Sequence, residues 1–342
     1  MIHGQGVVVF TRPSLVYFLD DTELDGLMFT CTDRSVVVIR ISTRVQYTDP
    51  TNSGPATWFS IDPQNQQLYA GTGEPRIETA TYRYTLSHED KAFLESIVRV
   101  TPSPDRTIRD PISSRQVPLT LKKNLSMRDV ALGRHMHRSH LSPVARQLYD
   151  CVASETFALE KGLAKLIDRS ISTPGCWCYE KLREKDPDLS YLRITLGRNG
   201  GESPGVPYVM EIWPVGHHSP VHNHAGSNAI IKVLRGSIQV SLFGDLEAPR
   251  PFREAILSKG ALTWLSPTLN SVHQLENTGS KTCITIQCYM YDDGDTSHYD
   301  YFDYMDAKGV VQHFEPDSDC EYTQFVEILK KEKGVSAVHR WF

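Results

Sequence analysis

Short segments in which apolar and polar residues alternate run through most of the chain, and this period of two predicts a mostly β protein. Over residues 1–100, runs rich in β-branched and aromatic residues are separated by turn residues. They predict strands at 6–10, 15–19, 35–41, 58–61, 67–73 and 79–86. The turn sequence at 62–65 predicts a hairpin between two of these strands. Several short strands joined by turns favour a small β-sandwich or β-barrel-like domain over residues 1–100.

The pattern changes after this β-rich region. Residues 101–141 carry several prolines, mixed charge and no clear periodicity, so a linker is predicted there. A helix is predicted to begin next, with Ser142 as its N-cap and Pro143 at the first helical position. Apolar residues then recur at near-helical spacing as far as Ile167. This stripe predicts one or two helices that pack on the sheet of the following domain.

From Tyr191 onward the alternating segments return, separated by turns that contain glycine or proline. Strands are predicted at 208–213, 229–234, 238–243, 252–257 and 283–291, and a closing helix at 325–331. Strands in succession without intervening helices favour a barrel with a ligand face inside. The predicted organisation is a β-rich accessory domain at 1–100, a linker at 101–141 and a barrel domain with preceding helices at 142–342.

Composition narrows the class of protein. The chain has 342 residues, of which 40% are hydrophobic and 23% are charged, a globular composition with room for two domains. Its net charge of -5 gives no basic footprint, so we expect no nucleic-acid partner. No apolar run is long enough to span a membrane, and the N-terminus lacks the pattern of a secretory signal. The cysteines number seven and are scattered, so we expect a reducing, cytoplasmic location.

A group of histidines supplies the candidate chemistry. His222 and His224 are two residues apart, so on a strand their side chains project to the same side. A third imidazole, from His273 in a later predicted strand, would complete a three-histidine face. Imidazole suits iron, copper, zinc and nickel, and three protein ligands leave coordination positions open for chemistry. The sequence therefore predicts a metal site at His222, His224 and His273.

These residues resemble the two sequence motifs of the cupins. The first motif is matched by Gly216, His222, His224 and Gly236, and the second by Gly260, Pro267, His273 and Asn277. The chain departs from the motif at one position, because Ala229 stands where most cupins carry a metal-binding glutamate. The replacement of that glutamate is typical of thiol dioxygenases, in which three neutral histidines hold the metal.

Three segments resemble the cysteine dioxygenase family more closely. They are residues 213–225, 232–237 and 295–298, and the similarity covers the C-terminal half of the chain. The resemblance implies a cupin barrel, also called a double-stranded β-helix or jelly roll, preceded by helices. It also implies one mononuclear Fe(II) held by the three histidines. The implied reaction oxidises L-cysteine with O2 to cysteine sulfinic acid. Three neutral ligands leave the iron with its full positive charge, which favours an anionic thiolate.

The resemblance also implies a substrate site. Tyr191 and Arg193 align with the Tyr-x-Arg of cysteine dioxygenases, which implies that Arg193, with Tyr191 beside it, holds the substrate carboxylate. A guanidinium fork matches a carboxylate bidentately and stays charged at any working pH. Relatives that act on 3-mercaptopropionate typically have glutamine at the arginine position. Arg193 therefore favours a free amino acid as the substrate.

A second group of implied site residues lies on one later strand. Thr285, Gln287 and Tyr289 fall where the family often has Ser-x-His-x-Tyr, and alternation puts all three on one face. Gln287 can hydrogen-bond to the Tyr289 hydroxyl but cannot ionise as the family histidine does. Tyr289 is expected to orient oxygen or substrate. A shift of the alignment by two residues would give that role to Tyr291 instead.

Ala229 has a further consequence and leaves alternatives open. It occupies the position at which animal cysteine dioxygenases carry a cysteine that is cross-linked to the site tyrosine, so we expect no Cys–Tyr cofactor. The departures at Ala229 and Gln287 favour two alternatives. One is a dioxygenase of another small thiol, such as 3-mercaptopropionate. The other is a metal-binding cupin with weakened catalysis that acts as a binding module. In that case residues 1–100 would carry the function of the protein. The sequence does not indicate what these residues bind.

Overall fold

The chain divides into two compact units, Met1–Gln116 and Val117–Phe342. A computed structural model describes residues 4–10, 16–17, 28–31, 36–38, 44–45, 57–62, 67–72, 74, 76–80, 82–85, 97–101, 106–109, 120–121, 126–131, 137–153, 159–197, 208–267, 269–296 and 301–338. Within these ranges, no helix is both long and apolar enough to cross a membrane.

The first unit consists of antiparallel strands in the part that is described. Its strands are β1 Gly4–Phe10, β2 Val16–Tyr17, β3 Met28–Cys31, β4 Val36–Val38, β5 Arg44–Val45, β6 Thr57–Asp62, β7 Gln67–Thr72, β8 Tyr82–Thr85, β9 Ile97–Thr101 and β10 Arg106–Arg109. A 3-10 helix, Ile77–Thr79, precedes β8. The sheets have the orders β10-β1-β6-β7-β8, β4-β3-β9 and β2-β5. The predicted hairpin is confirmed, because β6 pairs with β7 from Thr57 opposite Thr72 to Asp62 opposite Gln67.

The second unit contains the predicted barrel and its helices. Its strands are β11 Thr120–Leu121, β12 Leu192–Gly197, β13 Tyr208–Trp213, β14 Val221–His222, β15 Asn228–Arg235, β16 Ser237–Phe243, β17 Arg253–Ser258, β18 Leu262–Leu265, β19 Val272–Glu276, β20 Cys283–Met290, β21 Phe302–Met305, β22 Val311–Phe314 and β23 Cys320–Glu321. Its helices are α1 Met127–Ala131, α2 Pro143–Ala153, α3 Leu163–Ser172, α4 Trp177–Glu184 and α5 Tyr322–Val338, with 3-10 helices at Arg138–His140 and Pro187–Leu189. The closing helix predicted at 325–331 lies inside α5.

Two sheets form the barrel. One has the order β11-β18-β15-β20-β13-β12-β23 and the other the order β17-β16-β19-β14-β21-β22. Neighbouring strands are antiparallel except for the parallel pair β12 and β23. Apolar side chains of both sheets meet in one buried cluster, which includes Trp213, Ile231, Val240, Leu242 and Leu275. Two facing antiparallel sheets around such a core make this unit a cupin barrel, as predicted.

Alternation along the central strands separates the barrel interior from the helices. On β20, Ile284 and Ile286 pack in clusters with residues of the helices, whereas Tyr289 packs with Ala229 and Phe302 inside. Helices α3, α4 and α5 cover one part of the outer face of the seven-stranded sheet, and α2 covers another. A strand buried on both faces keeps apolar residues at its outward positions, which leaves its inward positions free to carry polar site residues.

The start of α2 agrees with the prediction, and the linker differs from it. The Ser142 hydroxyl accepts a hydrogen bond from the Ala145 amide at 3.2 Å, which is the expected N-cap contact. Within the predicted linker, Thr120 and Leu121 form β11 and pair with β18 of the barrel. Leu121 is buried with Trp264. A strand of two residues is too short to show periodicity, so the sequence pattern could not separate it from a linker.

Candidate metal centre

The six-stranded sheet brings the three predicted metal ligands together. His222 on β14 lies directly opposite His273 on β19, and His224 follows two residues after His222. The ring centroids are 4.7 Å apart for His222 and His224, 4.8 Å for His222 and His273, and 4.5 Å for His224 and His273. One ligand atom from each side chain lies within 4.8 Å of the other two. The three imidazoles are therefore grouped around one point inside the barrel.

Backbone carbonyls fix the orientation of two of these rings. His222 Nδ1 is 3.0 Å from the Pro220 carbonyl oxygen, and His224 Nδ1 is 3.3 Å from the Ser271 carbonyl oxygen. A carbonyl only accepts, so each Nδ1 donates its proton and each Nε2 keeps a free lone pair. His224 Nε2 is buried and has no hydrogen-bond partner among the described residues. A buried lone pair without a partner fits a metal ligand, and such carbonyl contacts are how ligating histidines are oriented.

The electrostatics of the cluster also suit a metal. Burial lowers the pKa of His222 to about 4. Burial, followed by the neighbouring imidazoles, holds the pKa values of His224 and His273 well below their usual range. All three side chains are therefore neutral at neutral pH, which is the form that binds metals. The set fits a divalent transition metal of the kind that prefers imidazole.

A hairpin from the end of the six-stranded sheet covers the histidines. Strand β21 pairs with β14, and β22 pairs with β21. Phe302 lies 5.0 Å from the His224 ring and 6.0 Å from the His222 ring, centroid to centroid. Phe314 lies 6.0 Å from the His222 ring. These aromatic side chains form an apolar cover over this side of the histidine cluster. The Ser297 and His298 of the third segment that resembles cysteine dioxygenases lie outside the described residues.

A chain of hydrogen bonds lines the opposite wall, on the seven-stranded sheet. Arg193 on β12 lies opposite Glu211 on β13, and its Nη1 donates to Glu211 Oε1 at 2.7 Å. Gln287 Nε2 donates to the other oxygen, Glu211 Oε2. The Tyr289 hydroxyl donates to Gln287 Oε1. All four side chains are buried, so this series of hydrogen bonds is shielded from solvent along its length.

This wall is in contact with the histidine cluster through Tyr289. The Tyr289 ring stacks on the His224 ring with centroids 5.9 Å apart. The guanidinium carbon of Arg193 lies 5.5 Å from the centroid of the Tyr289 ring, a cation–π distance. Tyr289, rather than Tyr291, therefore links the arginine to the predicted ligands. The structure thus brings the three predicted metal ligands, Tyr289, Gln287 and Arg193 into one site.

Two other predicted site residues lie further along the same wall. The Thr285 hydroxyl accepts a hydrogen bond from the Trp213 indole at 3.1 Å and lies 3.4 Å from Gln287 Nε2. Tyr191 stacks on Trp213 with ring centroids 4.3 Å apart. Both residues are buried and hold Trp213 in place. Their observed contacts are with the wall of the site rather than with the histidines.

Arg193 keeps part of its hydrogen-bonding capacity unused. Its Nε and Nη2 atoms are buried and make no hydrogen bond of good geometry to the described residues, although the phenols of Tyr191 and Tyr289 lie beside the guanidinium. Buried donors without partners are rare because they cost free energy, and they suggest a ligand. These two N–H groups point along the same edge of the guanidinium, the edge that can bind a carboxylate bidentately. Glu211 accepts its hydrogen bond from Nη1 and therefore does not occupy the edge formed by Nε and Nη2.

Glu211 is the site residue that the sequence analysis missed. Burial raises its pKa to about 7, against the opposing effects of Arg193 and Lys185. The sequence feature that marks Glu211 is its position as the single acidic residue, facing inward, in the otherwise apolar strand 208–213. A buried charged residue needs a partner, so the pattern could have marked Glu211 as part of a polar site.

Ala229 lies where a cross-linking cysteine would have to be. In the register of β15 and β20, Ala229 is directly opposite Tyr289. Both side chains belong to the same buried cluster. The methyl group of Ala229 offers Tyr289 no sulfur, which is the basis of the expectation that no Cys–Tyr cofactor forms here.

Comparisons with known proteins give weak similarities. No protein-family model matches the chain. A cupin 2 domain-containing protein from Halorhodospira halophila is 19% identical over 46% of this chain and 87% of its own, with a TM-score of 0.25. A conserved protein with a double-stranded β-helix domain from Klebsiella pneumoniae is 14% identical over 36% of this chain and 95% of its own, with a TM-score of 0.25. A recombinant oxalate oxidase in complex with glycolate is 18% identical over 32% of this chain and 55% of its own, with a TM-score of 0.26. Values this low carry no information on activity.

Proposed function

We propose that the barrel unit is an Fe(II)-dependent thiol dioxygenase that converts L-cysteine and O2 to cysteine sulfinic acid. The observation that carries the proposal is the combination of three buried, neutral histidines with an arginine that has a free, buried donor edge. The buried lone pair of His224 Nε2 supports a metal, and the free edge of Arg193 supports a small carboxylate ligand nearby. A thiol amino acid has the two groups that this pair of sites would bind together.

His222, His224 and His273 would hold the metal. When bound, ferrous iron supplies the positions at which a thiol ionises and dioxygen reacts with its sulfur. The histidines add no charge of their own, because imidazole is not an anion and burial keeps these side chains neutral rather than cationic. A neutral ligand set of this kind favours an anionic thiolate over a neutral donor.

Arg193 would bind the substrate carboxylate through Nε and Nη2, the two donors that make no hydrogen bond of good geometry within the described ranges. A bidentate contact fixes both the position and the orientation of the ligand. The substrate sulfur would then lie close to the histidines, because Arg193 and His224 both contact the Tyr289 ring. Such positioning lowers the barrier by fixing the reacting groups before the reaction.

Tyr289 would act as a protonated hydroxyl. Burial raises its pKa above the usual value, so the phenol does not ionise near neutral pH. Its proton is given to Gln287 Oε1, which fixes the orientation of the hydroxyl beside the Arg193 guanidinium. Gln287 is held in turn by Glu211. In this arrangement Gln287 and Glu211 position Tyr289, and neither is proposed to touch the substrate.

A second candidate function is favoured by Glu211. Because this carboxylate already pairs with Arg193 at 2.7 Å, part of the arginine charge is compensated within the protein. The compensation weakens the preference for a carboxylate and favours a dioxygenase of a small thiol that has none, such as cysteamine. The same chemistry would then act on a different substrate.

A panel of thiols tests the proposal and separates these candidates. The protein is loaded with ferrous iron without oxygen, mixed with L-cysteine, 3-mercaptopropionate or cysteamine, and exposed to air. Sulfinic products are measured by mass. We expect cysteine sulfinic acid to form fastest. A larger yield from another thiol would identify that thiol as the substrate instead of L-cysteine. Bound iron without any product would favour a binding module.

A further inference from the structure

The site contains a carboxylate of its own beside the arginine that would receive the substrate. Glu211 Oε1 accepts from Arg193 Nη1 at 2.7 Å, and both side chains are only 3% exposed. The two residues lie directly opposite each other on β12 and β13. Any anion that binds the free edge of Arg193 therefore shares the guanidinium with Glu211.

The groups that face Glu211 come from three parts of the unit. Arg193 and the phenol of Tyr191 lie on or next to β12, Gln287 and Tyr289 lie on β20, and Lys185 acts from the segment before β12. Gln287 cannot ionise, and burial keeps both phenols protonated near neutral pH. Lys185 pairs with Asp319 at 2.9 Å. The charge that Arg193 presents to a ligand is thus set mainly by whether Glu211 carries a proton.

Both charge states of Glu211 occur near neutral pH. Burial raises its pKa to about 7, so the side chain is largely neutral at pH 6 and largely ionised at pH 8. With Glu211 neutral, Arg193 carries an uncompensated positive charge inside the barrel. With Glu211 ionised, the pair has no net charge and attracts an anion less strongly.

We propose that Glu211 is a specificity-determining residue that couples the binding of a carboxylate-bearing thiol at Arg193 to the uptake of one proton by Glu211. This inference rests on the proposed role of Arg193 in binding a carboxylate. The proton comes from solvent and stays on a Glu211 oxygen for as long as the anion is bound. Binding an anion disfavours the second negative charge at the same guanidinium, so affinity and protonation of Glu211 reinforce each other.

The direction of the pH effect follows from this coupling. Below pH 7 Glu211 is already protonated, so a carboxylate ligand binds at its full affinity. Above pH 7 the protein must take up a proton to bind the ligand, and the affinity falls by up to about tenfold per pH unit. The Glu211→Gln variant keeps a side chain of the same shape but has no proton to gain, so its affinity lacks this component.

The test is titration calorimetry on the ferrous protein without oxygen, with 3-mercaptopropionate as ligand, at pH 6 and pH 8. Two buffers with different ionisation heats give the number of protons taken up. The thiol loses its own proton in wild type and in Glu211→Gln, so the comparison isolates Glu211. We expect the ratio of dissociation constants, wild type over variant, to rise about tenfold from pH 6 to pH 8. We also expect wild type to take up close to one proton more at pH 8.

Two controls keep the result specific. Glu254→Gln removes an exposed carboxylate from β17 of the same barrel and should behave as wild type. Cysteamine has the thiol but no carboxylate, so its ratio of dissociation constants should not rise with pH. Should Glu211→Gln fail to fold, the proton uptake of wild type with 3-mercaptopropionate, compared with cysteamine, carries the test.

Failure of the inference differs from failure of the proposed function. Binding of 3-mercaptopropionate with the same pH dependence in wild type and Glu211→Gln would overturn the inference and leave the dioxygenase proposal intact. Absence of any binding to the iron-loaded protein would overturn both. Proton-linked binding without a sulfinic product would support the inference and count against the proposed reaction.

Discussion

Three side-chain nitrogens decide whether the barrel holds a metal. Replacing His222 or His273 by alanine should lower the iron content from about one per chain to near zero, because two imidazoles hold the ion much less well than three. The measurement is metal analysis after anaerobic loading and desalting. His137→Ala is the matched control, since His137 is exposed and should not affect iron content. Full iron content in either site variant would contradict the assignment of the ligands.

The buried pair of Arg193 and Glu211 should be strongly coupled in stability. Arg193→Ala leaves the Glu211 carboxylate buried without its partner, which should lower the free energy of unfolding by about 3 kcal/mol. Adding Glu211→Gln to that variant removes the unpaired charge and should restore part of the loss. Urea unfolding of wild type, both single variants and the double variant measures the coupling. Strictly additive effects would show that the two side chains do not depend on each other.

The register that places Ala229 opposite Tyr289 predicts that a Cys–Tyr cross-link can be introduced by substituting Ala229. In Ala229→Cys, a thiol would stand beside the Tyr289 ring, because directly opposite residues on antiparallel strands have neighbouring side chains. Incubation with ferrous iron, L-cysteine and air should form a thioether between the two, with dioxygen as the oxidant and the loss of two hydrogens. Peptide mass detects that loss, and Ala229→Ser serves as the control. Unmodified peptide after sulfinate has formed would contradict the placement.

At the scale of elements, strand alternation made much of the site predictable. The inward positions of β20 were assigned from period alone, and the structure puts Gln287 and Tyr289 on the inner wall as expected. The pairing of Glu211 with Arg193 was not predictable, because it depends on the register of β12 against β13. Register is set by tertiary contacts rather than by the pattern of one strand. β11 was missed for a related reason, since two residues show no period.

The turn between β15 and β16 depends on a glycine of the first cupin motif. Gly236 has φ +74, and a Cβ there would lie 3.1 Å from both Thr282 O and Cys283 Cα. Those backbone atoms belong to the start of β20 and the residue before it, so they cannot move away freely. Gly236→Ala should therefore lower stability by about 2 kcal/mol or more.

Gly309→Ala is the matched control for this prediction. Gly309 also has φ +74, but no atom lies within 4 Å of the position of an added Cβ. The control should show only the backbone cost, about 1 kcal/mol. Urea unfolding gives both values, and equal losses in the two variants would mean that the close approach at Gly236 contributes nothing.

At the scale of the whole molecule, burial of Glu211 should appear in the pH dependence of stability. Its folded pKa of about 7 lies above the ordinary glutamate pKa of 4.5, so the folded state binds the proton more tightly. The resulting stabilisation is complete below pH 4.5 and is lost as pH rises through 7. It amounts to roughly 3 kcal/mol at most. The lowered pKa values of the histidines act in the opposite direction, since they cost stability as pH falls.

Comparison with Glu211→Gln separates these two effects in the metal-free protein. The stability of wild type relative to the variant should be greater at pH 5 than at pH 7.5, because only wild type loses the contribution of Glu211 across that range. Urea unfolding at the two values measures the difference. A difference that does not change with pH would mean that the folded pKa of Glu211 is close to its unfolded value.

The boundary between the two units of the chain differs from the predicted domain boundary. The sequence placed the β-rich domain at residues 1–100, whereas the compact units meet between Gln116 and Val117. The proline-containing stretch has no hydrophobic period, so pattern alone could not show which part of it packs with which unit. The barrel unit, in contrast, followed from its alternating strands and motif glycines.

The most direct test of the account is one reaction with labelled dioxygen. Iron-loaded protein receives L-cysteine and then 18O2, and the mass of the product is measured. We expect cysteine sulfinic acid in which both new oxygen atoms come from the labelled gas, and loss of this product in His222→Ala. Cysteine that remains unoxidised by fully iron-loaded protein, or sulfinate with only one labelled oxygen, would contradict it.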